Sequence, residues 1–174
     1  YLNGRIDRLL DSDMSSEMIL GQLLARNNGI LSDQWYYSTE LRVLNTQLIY
    51  ALFFRLSSNW HFVRMASTLV LWCVLIASYG VLCRVMGCKK SFGVTALLLA
   101  APVSESYFRF VLAGVYYVPH LAIAFAALAL NEAYFKAKPD RKKFWLVVSV
   151  LLALVAGLGG PREIIALYAP LGLA

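Results

Sequence analysis

Residues 62–83 read FVRMASTLVLWCVLIASYGVLC, and the architecture follows from this run. Its 22 residues carry a single charge, Arg64, and as a helix they rise about 33 Å, enough to cross a hydrocarbon core of about 30 Å. Trp60 and His61 precede it in the position of interface anchors. The 174 residues as a whole are 60% hydrophobic and 15% charged, with a mean hydropathy of +0.63, which lies outside the range of soluble globular chains. The expected fold is an all-α, multi-pass transmembrane helical bundle.

Toward the C-terminus the apolar runs are uneven. Phe92 to Val103 covers 12 residues, roughly 18 Å as a helix, and must either extend through Ser104-Glu105-Ser106 or stop short. Val111 to Tyr134 reads as a span, kinked where Pro119 removes a hydrogen bond to the Val115 carbonyl. Phe144 to Leu158 follows, Gly159-Gly160-Pro161 breaks it, and Ile164 begins another helix. Toward the N-terminus Asp7, Asp11, Asp13, Glu17, Asp33 and Glu40 interrupt every stretch long enough to span. Residues 1–59 are therefore expected to form an extracytoplasmic loop with interfacial amphipathic helices, and residues 60–174 a transmembrane helical region. Because the sequence opens at Tyr1 and stops at Ala174 inside an apolar run, further helices are expected on both sides.

The lysines set the expected orientation. All six, Lys89, Lys90, Lys136, Lys138, Lys142 and Lys143, lie in two short loops, which should be cytoplasmic. With Arg84 and Arg141 these loops hold eight of the sixteen basic residues, so the net +6 is mostly topology. Basic residues that flank spans, instead of forming a stripe interleaved with exposed aromatics, argue against nucleic acid as a partner and for membrane lipids. Cys73, Cys83 and Cys88 are an odd, unclustered set that supports neither a disulfide framework nor a four-ligand metal site.

The N-terminal segment parses as helix, turn, helix. Asp13 is a suitable N-cap for a helix over Met14 to Arg26, with Glu17 near its positive end, and Asn27-Asn28-Gly29 ends it. A second helix is expected from Ser38 to Leu56, on the spacing of Leu41, Leu44, Leu48 and Leu52. Trp35, Tyr36 and Tyr37 read as interfacial anchors.

An acidic motif on a non-cytoplasmic loop, followed by two interfacial helices and spans of uneven length, resembles the GT-C glycosyltransferases, among them protein O-mannosyltransferases and aminoarabinose transferases. In sequence the likeness rests on Asp11-Ser12-Asp13 with Glu17, and more loosely on Gly157-Leu158-Gly159-Gly160-Pro161-Arg162. Family members often carry Asp-Glu where this chain has Asp-Ser-Asp, so either Asp11 or Asp13 aligns with the catalytic carboxylate, and Asp11 is favoured. The resemblance implies a bacterial plasma-membrane enzyme that takes a sugar from a polyprenyl-phosphate lipid donor. Transfer to a weak nucleophile requires an oriented acceptor and removal of its proton, and a carboxylate serves both needs. The departing phosphate calls for cations on the same side, for which Arg162 and Arg109 are candidates, with Glu17 and His120 as further substrate-binding candidates. Pro161 suits the first turn of a helix, which would add backbone N–H groups to the Arg162 fork. No cofactor is required, although Asp11 and Asp13 as hard oxygen donors also allow a divalent cation. The alternative is a non-enzymatic transporter or lipid-handling protein in which Arg64, His120 and Arg162 line a pathway.

Overall fold

The computed structural model describes residues 11–37, 44–115, 117–160 and 164–169. Among them every regular element is helical and none is a strand. The order is α1 (Ser12–Asn27), α2 (Thr46–Phe54), α3 (Trp60–Met86), α4 (Phe92–Ala100), α5 (Glu105–Tyr107), α6 (Val118–Lys136) and α7 (Pro139–Leu158), with α5 running into a π-helical segment, Phe108–Ala113, and a second such segment at Ile164–Tyr168.

Two helices, α3 and α6, are long and apolar enough to cross a membrane. At 27 residues α3 rises about 40 Å, which exceeds the thickness of a hydrocarbon core of about 30 Å. Asn59 caps its start by accepting a hydrogen bond from Phe62 N at 3.1 Å, and Gly87 ends it at a φ of 81°, where only glycine is unstrained. α6 lies alongside α3 in the same direction: Val118 at its start packs on Leu71 and Leu75, Phe125 on Tyr79, and at its end Lys136 Nζ donates to the Val85 carbonyl at 2.8 Å. That bond brings the two lysine-bearing loops to one end of the molecule.

The short run from Phe92 stops at Ala100 and does not continue through Ser104. It meets the helical stretch Glu105–Ala113 at a bend of 88°, which is the geometry of a broken span or a re-entrant loop. Side chains satisfy part of the backbone freed at the break: Ser104 caps α5, and the Tyr107 hydroxyl donates to the Leu99 carbonyl at 2.6 Å.

The span expected over Val111–Tyr134 is not one helix. Val111 to Ala113 close the π-helical segment, where Gly114 N reaches back five residues to the Arg109 carbonyl at 2.9 Å. The chain then turns at Val115, whose φ of 56° is left-handed and unusual for a β-branched residue, and α6 begins at Val118. Pro119 therefore starts a helix instead of kinking one, because in a first turn its missing N–H leaves no bond unmade. Packing holds the strained turn: Val111, Val115 and Val118 are buried against Leu71 and Leu75 of α3, and Trp72 Nε1 donates to the Leu112 carbonyl at 3.0 Å.

At the Trp60 end, α1 and α2 form a layer on the first turns of α3. Gly21 brings α1 and α2 together, since a Cβ there would lie 2.6 Å from Tyr50 Cβ. Leu20, Leu24 and Ala51 pack between the two helices with Trp35 and Tyr37 against them, while Met18, Tyr50 and Val63 join all three. Of the expected aromatic anchors Tyr36 alone stands free, at 90% exposure. The second helix starts later than expected among the described residues: Leu44 and Asn45 are not helical, and Asn45 accepts from Thr46 N as the cap. Ser38 to Val43 lie outside the described residues.

Candidate functional site

The acidic motif sits where α1 begins. Asp11, not Asp13, is the N-cap: its Oδ1 accepts from Met14 N at 2.9 Å, and its carbonyl accepts from Ser15 N at 3.0 Å and Ser15 Oγ at 2.8 Å. The expected cap at Asp13 is thus shifted by two residues, because Ser12 is already helical and Asp13 lies in the first turn, exposed, where its charge favours the helix N-terminus. Asp11 is partly buried, and among the described residues nothing bonds its Oδ2.

One turn further along, Glu17 is 5% exposed and accepts a hydrogen bond from the Thr46 hydroxyl of α2. Around it stand Gln47 and Tyr50 of α2 and Arg64 of α3, all at 2% exposure or less. The Arg64 Nη2 donates to Met14 Sδ at 3.3 Å, which ties α3 to α1. Burial pushes the Tyr50 hydroxyl well above its ordinary range, the Glu17 charge raises it further, and Arg64 works against both. Ser67 and Thr68, fully buried on the next turn of α3, have hydroxyls without a partner among the described residues. A carboxylate and a guanidinium within one buried cluster couple the three helices, because moving any one exposes or strands a charge.

The other sequence candidates are spread out. Arg109, in the π-helical segment, is exposed, and it makes no ion pair with Glu105 or any other described residue. His120 is half-buried in the first turn of α6, not deep within a helix as the unbroken span implied, and its ring lies 6.1 Å from that of Tyr117. Arg162 lies outside the described residues, as do Glu163 and Tyr116. No group of three or more His, Cys, Asp or Glu side chains suited to a metal ion occurs among the described residues.

No protein family, curated protein or solved structure matches this chain.

Two concavities lie elsewhere. An apolar groove of about 440 Å³ runs between α3, α6 and α7, lined by residues such as Val81, Val85, Ala129, Ala133 and Leu151. A smaller hollow of about 290 Å³ opens at the lysine end, lined by Gly80, Cys83, Arg84, Lys89 and Phe92. Neither is lined by Asp11, Asp13, Arg109 or His120.

The interior cluster joins Arg64, which the sequence placed on a pathway in the alternative transporter reading, to three residues that the sequence did not mark as a site: Thr46, Gln47 and Tyr50. Their signal was present in part, since Arg64 is the lone charge in an apolar run, and such residues commonly face a protein interior. Thr46 and Gln47 carried no comparable mark, because their burial depends on α1 lying across them.

Proposed function

We propose that the chain acts in membrane glycosyl transfer, with Asp11 at the reacting centre and a polyprenyl-phosphate sugar as donor. The supporting observation is the placement of Asp11 at the start of a helix that the buried Glu17, Thr46 and Arg64 fix onto the end of a membrane-spanning length of α3. One carboxylate oxygen is held by Met14 N, which sets the direction of the other. In the reaction, the acceptor atom bonds to the anomeric carbon of the sugar as the bond from that carbon to the phosphate oxygen breaks. The phosphate leaves with the electron pair, and the acceptor proton passes to the Asp11 carboxylate. Arg109, exposed and without an ion-pair partner among the described residues, is available to neutralise the departing phosphate, and Arg162 is proposed for the same role from the sequence. Asp13 assists the helix N-terminus. Glu17 acts as an anchor more than as a substrate contact, because burial and its bond to Thr46 remove it from solvent.

Asp11→Asn is the decisive substitution. Asparagine caps a helix as well as aspartate does, so stability should hold within a few tenths of a kcal/mol, whereas the proton acceptor is lost. Membranes bearing each of Asp11→Asn and Asp13→Asn are to be assayed with radiolabelled polyprenyl-phosphate sugars for label released from the donor. Proton-transfer catalysis contributes typically about 10²–10⁴-fold, so the Asp11 variant should lose at least a hundredfold. Full activity in both variants removes the proposal.

A second reading, lipid handling without chemistry, draws on the 88° break between α4 and α5 and on the apolar groove along α3. It predicts movement of a fluorescent phospholipid across reconstituted vesicles that Asp11→Asn leaves unchanged.

A further inference from the structure

We infer that the hollow at the lysine end is a binding site for the phosphate headgroup of an anionic phospholipid. Arg84, in the last turn of α3, and Lys89, in the turn to α4, both line it, together with Gly80, Cys83 and Phe92. The phenyl ring of Phe92 forms an apolar wall: it stacks on Tyr79 at 6.0 Å, and it comes so near the α3 backbone that a Cβ on Gly80 would lie 3.3 Å from its edge. A volume of about 290 Å³ corresponds to that of about ten waters, room for a glycerophosphate headgroup but not for its acyl chains. The chains have a place beside it, because Val81, Val94, Leu97 and Leu98 on the neighbouring turns are exposed apolar side chains.

Charge distinguishes this hollow from an ordinary row of interfacial basic residues. Neither Arg84 nor Lys89 nor the adjacent Lys90 has an ion-pair partner among the described residues, and the sequence contains no acidic residue between Glu40 and Glu105. Across the interface between α3 and α6 the situation differs, since Lys136 is bound by Glu132 at 2.8 Å and by the Val85 carbonyl. The site therefore offers two uncompensated cations, one of them a guanidinium fork suited to a phosphate, at the end of a helix that crosses a membrane by length and composition. This site is separate from Asp11 and does not depend on the glycosyl-transfer reading.

The test uses the full chain purified in detergent with an equimolar mixture of phosphatidylglycerol and phosphatidylcholine, the bound lipid being counted by native mass spectrometry. The wild type should retain phosphatidylglycerol in preference. Arg84→Gln with Lys89→Gln should reduce that preference by roughly tenfold or more, as expected for two basic groups at an anionic surface. Lys142→Gln with Lys143→Gln, which removes equal charge from the other loop, should leave it within about twofold. Phe92→Ala keeps every charge while opening the hollow and should also lower the preference. Equal retention of both lipids by the wild type, or equal losses in the two double variants, overturns the proposal. So does an undiminished preference in Phe92→Ala, which settles the matter should the Arg84 and Lys89 variant fail to insert. If soluble glycerol phosphate displaces the lipid at comparable concentration, the ligand is a free phosphate and the lipid assignment is overturned.

Discussion

Gly21→Ala tests the packing on which the Trp60 end is built. A methyl at this position would lie 2.6 Å from Tyr50 Cβ, 3.0 Å from the Gln47 carbonyl oxygen and 3.2 Å from Ala51 N. Carbon atoms rest at about 3.5–4.0 Å, so α1 and α2 must separate by about 1 Å. Two of the three obstacles are backbone and the third is a Cβ, so no rotamer change relieves the contact. The displaced helix carries Tyr50 out of its packing with Met18 and Val63, and Thr46 away from Glu17. Overpacking of this kind costs about 1–3 kcal/mol, and the backbone obstacles place it at or above the upper end. Replacing a helical glycine returns up to about 1 kcal/mol, leaving a net loss of about 2 kcal/mol. Gly93→Ala is the control, because no atom lies within 4 Å of a Cβ there, so it receives the helical gain without the clash. Unfolding by sodium dodecyl sulfate in mixed micelles, followed by far-ultraviolet circular dichroism, should move the Gly21→Ala midpoint down and that of Gly93→Ala level or up. If both variants shift upward together, the close approach of α1 to α2 is wrong.

The polar cluster and the orientation give further expectations. Glu17→Ala leaves Arg64 buried without the neighbouring carboxylate and should cost about 3–5 kcal/mol in the same titration, with Glu17→Gln costing less because it keeps an acceptor for Thr46; an alanine variant as stable as wild type would show that the cluster holds nothing together. The Tyr50 hydroxyl keeps its proton more tightly when folded than when unfolded, so stability is fully present below about pH 10 and should fall as pH rises beyond it, while Tyr50→Phe should flatten that alkaline decline. A pH titration of the unfolding midpoint in which the two chains decline equally would assign the decline to other groups. Cys88 is exposed beside Lys89 and Lys90, so a membrane-impermeant maleimide should label it in inside-out vesicles and spare it in intact cells, and the reverse pattern would invert the orientation given by the lysines.

The run from Phe62 to Cys83 was legible because its message is additive: each apolar residue favours the same environment, and their number sets the length. The structure extends it only to Trp60–Met86. Asn28 at the end of α1 was legible for a local reason, since it takes the left-handed conformation that a C-terminal cap requires. Val111 to Tyr134 misled because the same composition suits an unbroken helix and a broken one. What breaks it is the fit of Val111, Val115 and Val118 onto Leu71 and Leu75, residues some forty positions away. Asp11 and Asp13 are both competent caps by type, and the choice between them depended on whether Ser12 had already entered the helix.

The sequence by itself determined what each segment can tolerate: which runs can lie in hydrocarbon, which loops carry the cations, and that a carboxylate stands at the start of the first helix. These are properties of residues counted one at a time against a solvent. Tertiary structure decided which of them meet. Glu17 and Arg64 are 47 positions apart and share one buried cluster because Gly21 lets α2 lie close on α1 and both helices cover the start of α3. Arg84, Lys89 and Phe92 enclose a hollow because Gly87 turns the chain back after α3. Contacts between distant residues depend on shape and close approach, and no count of residue types contains them.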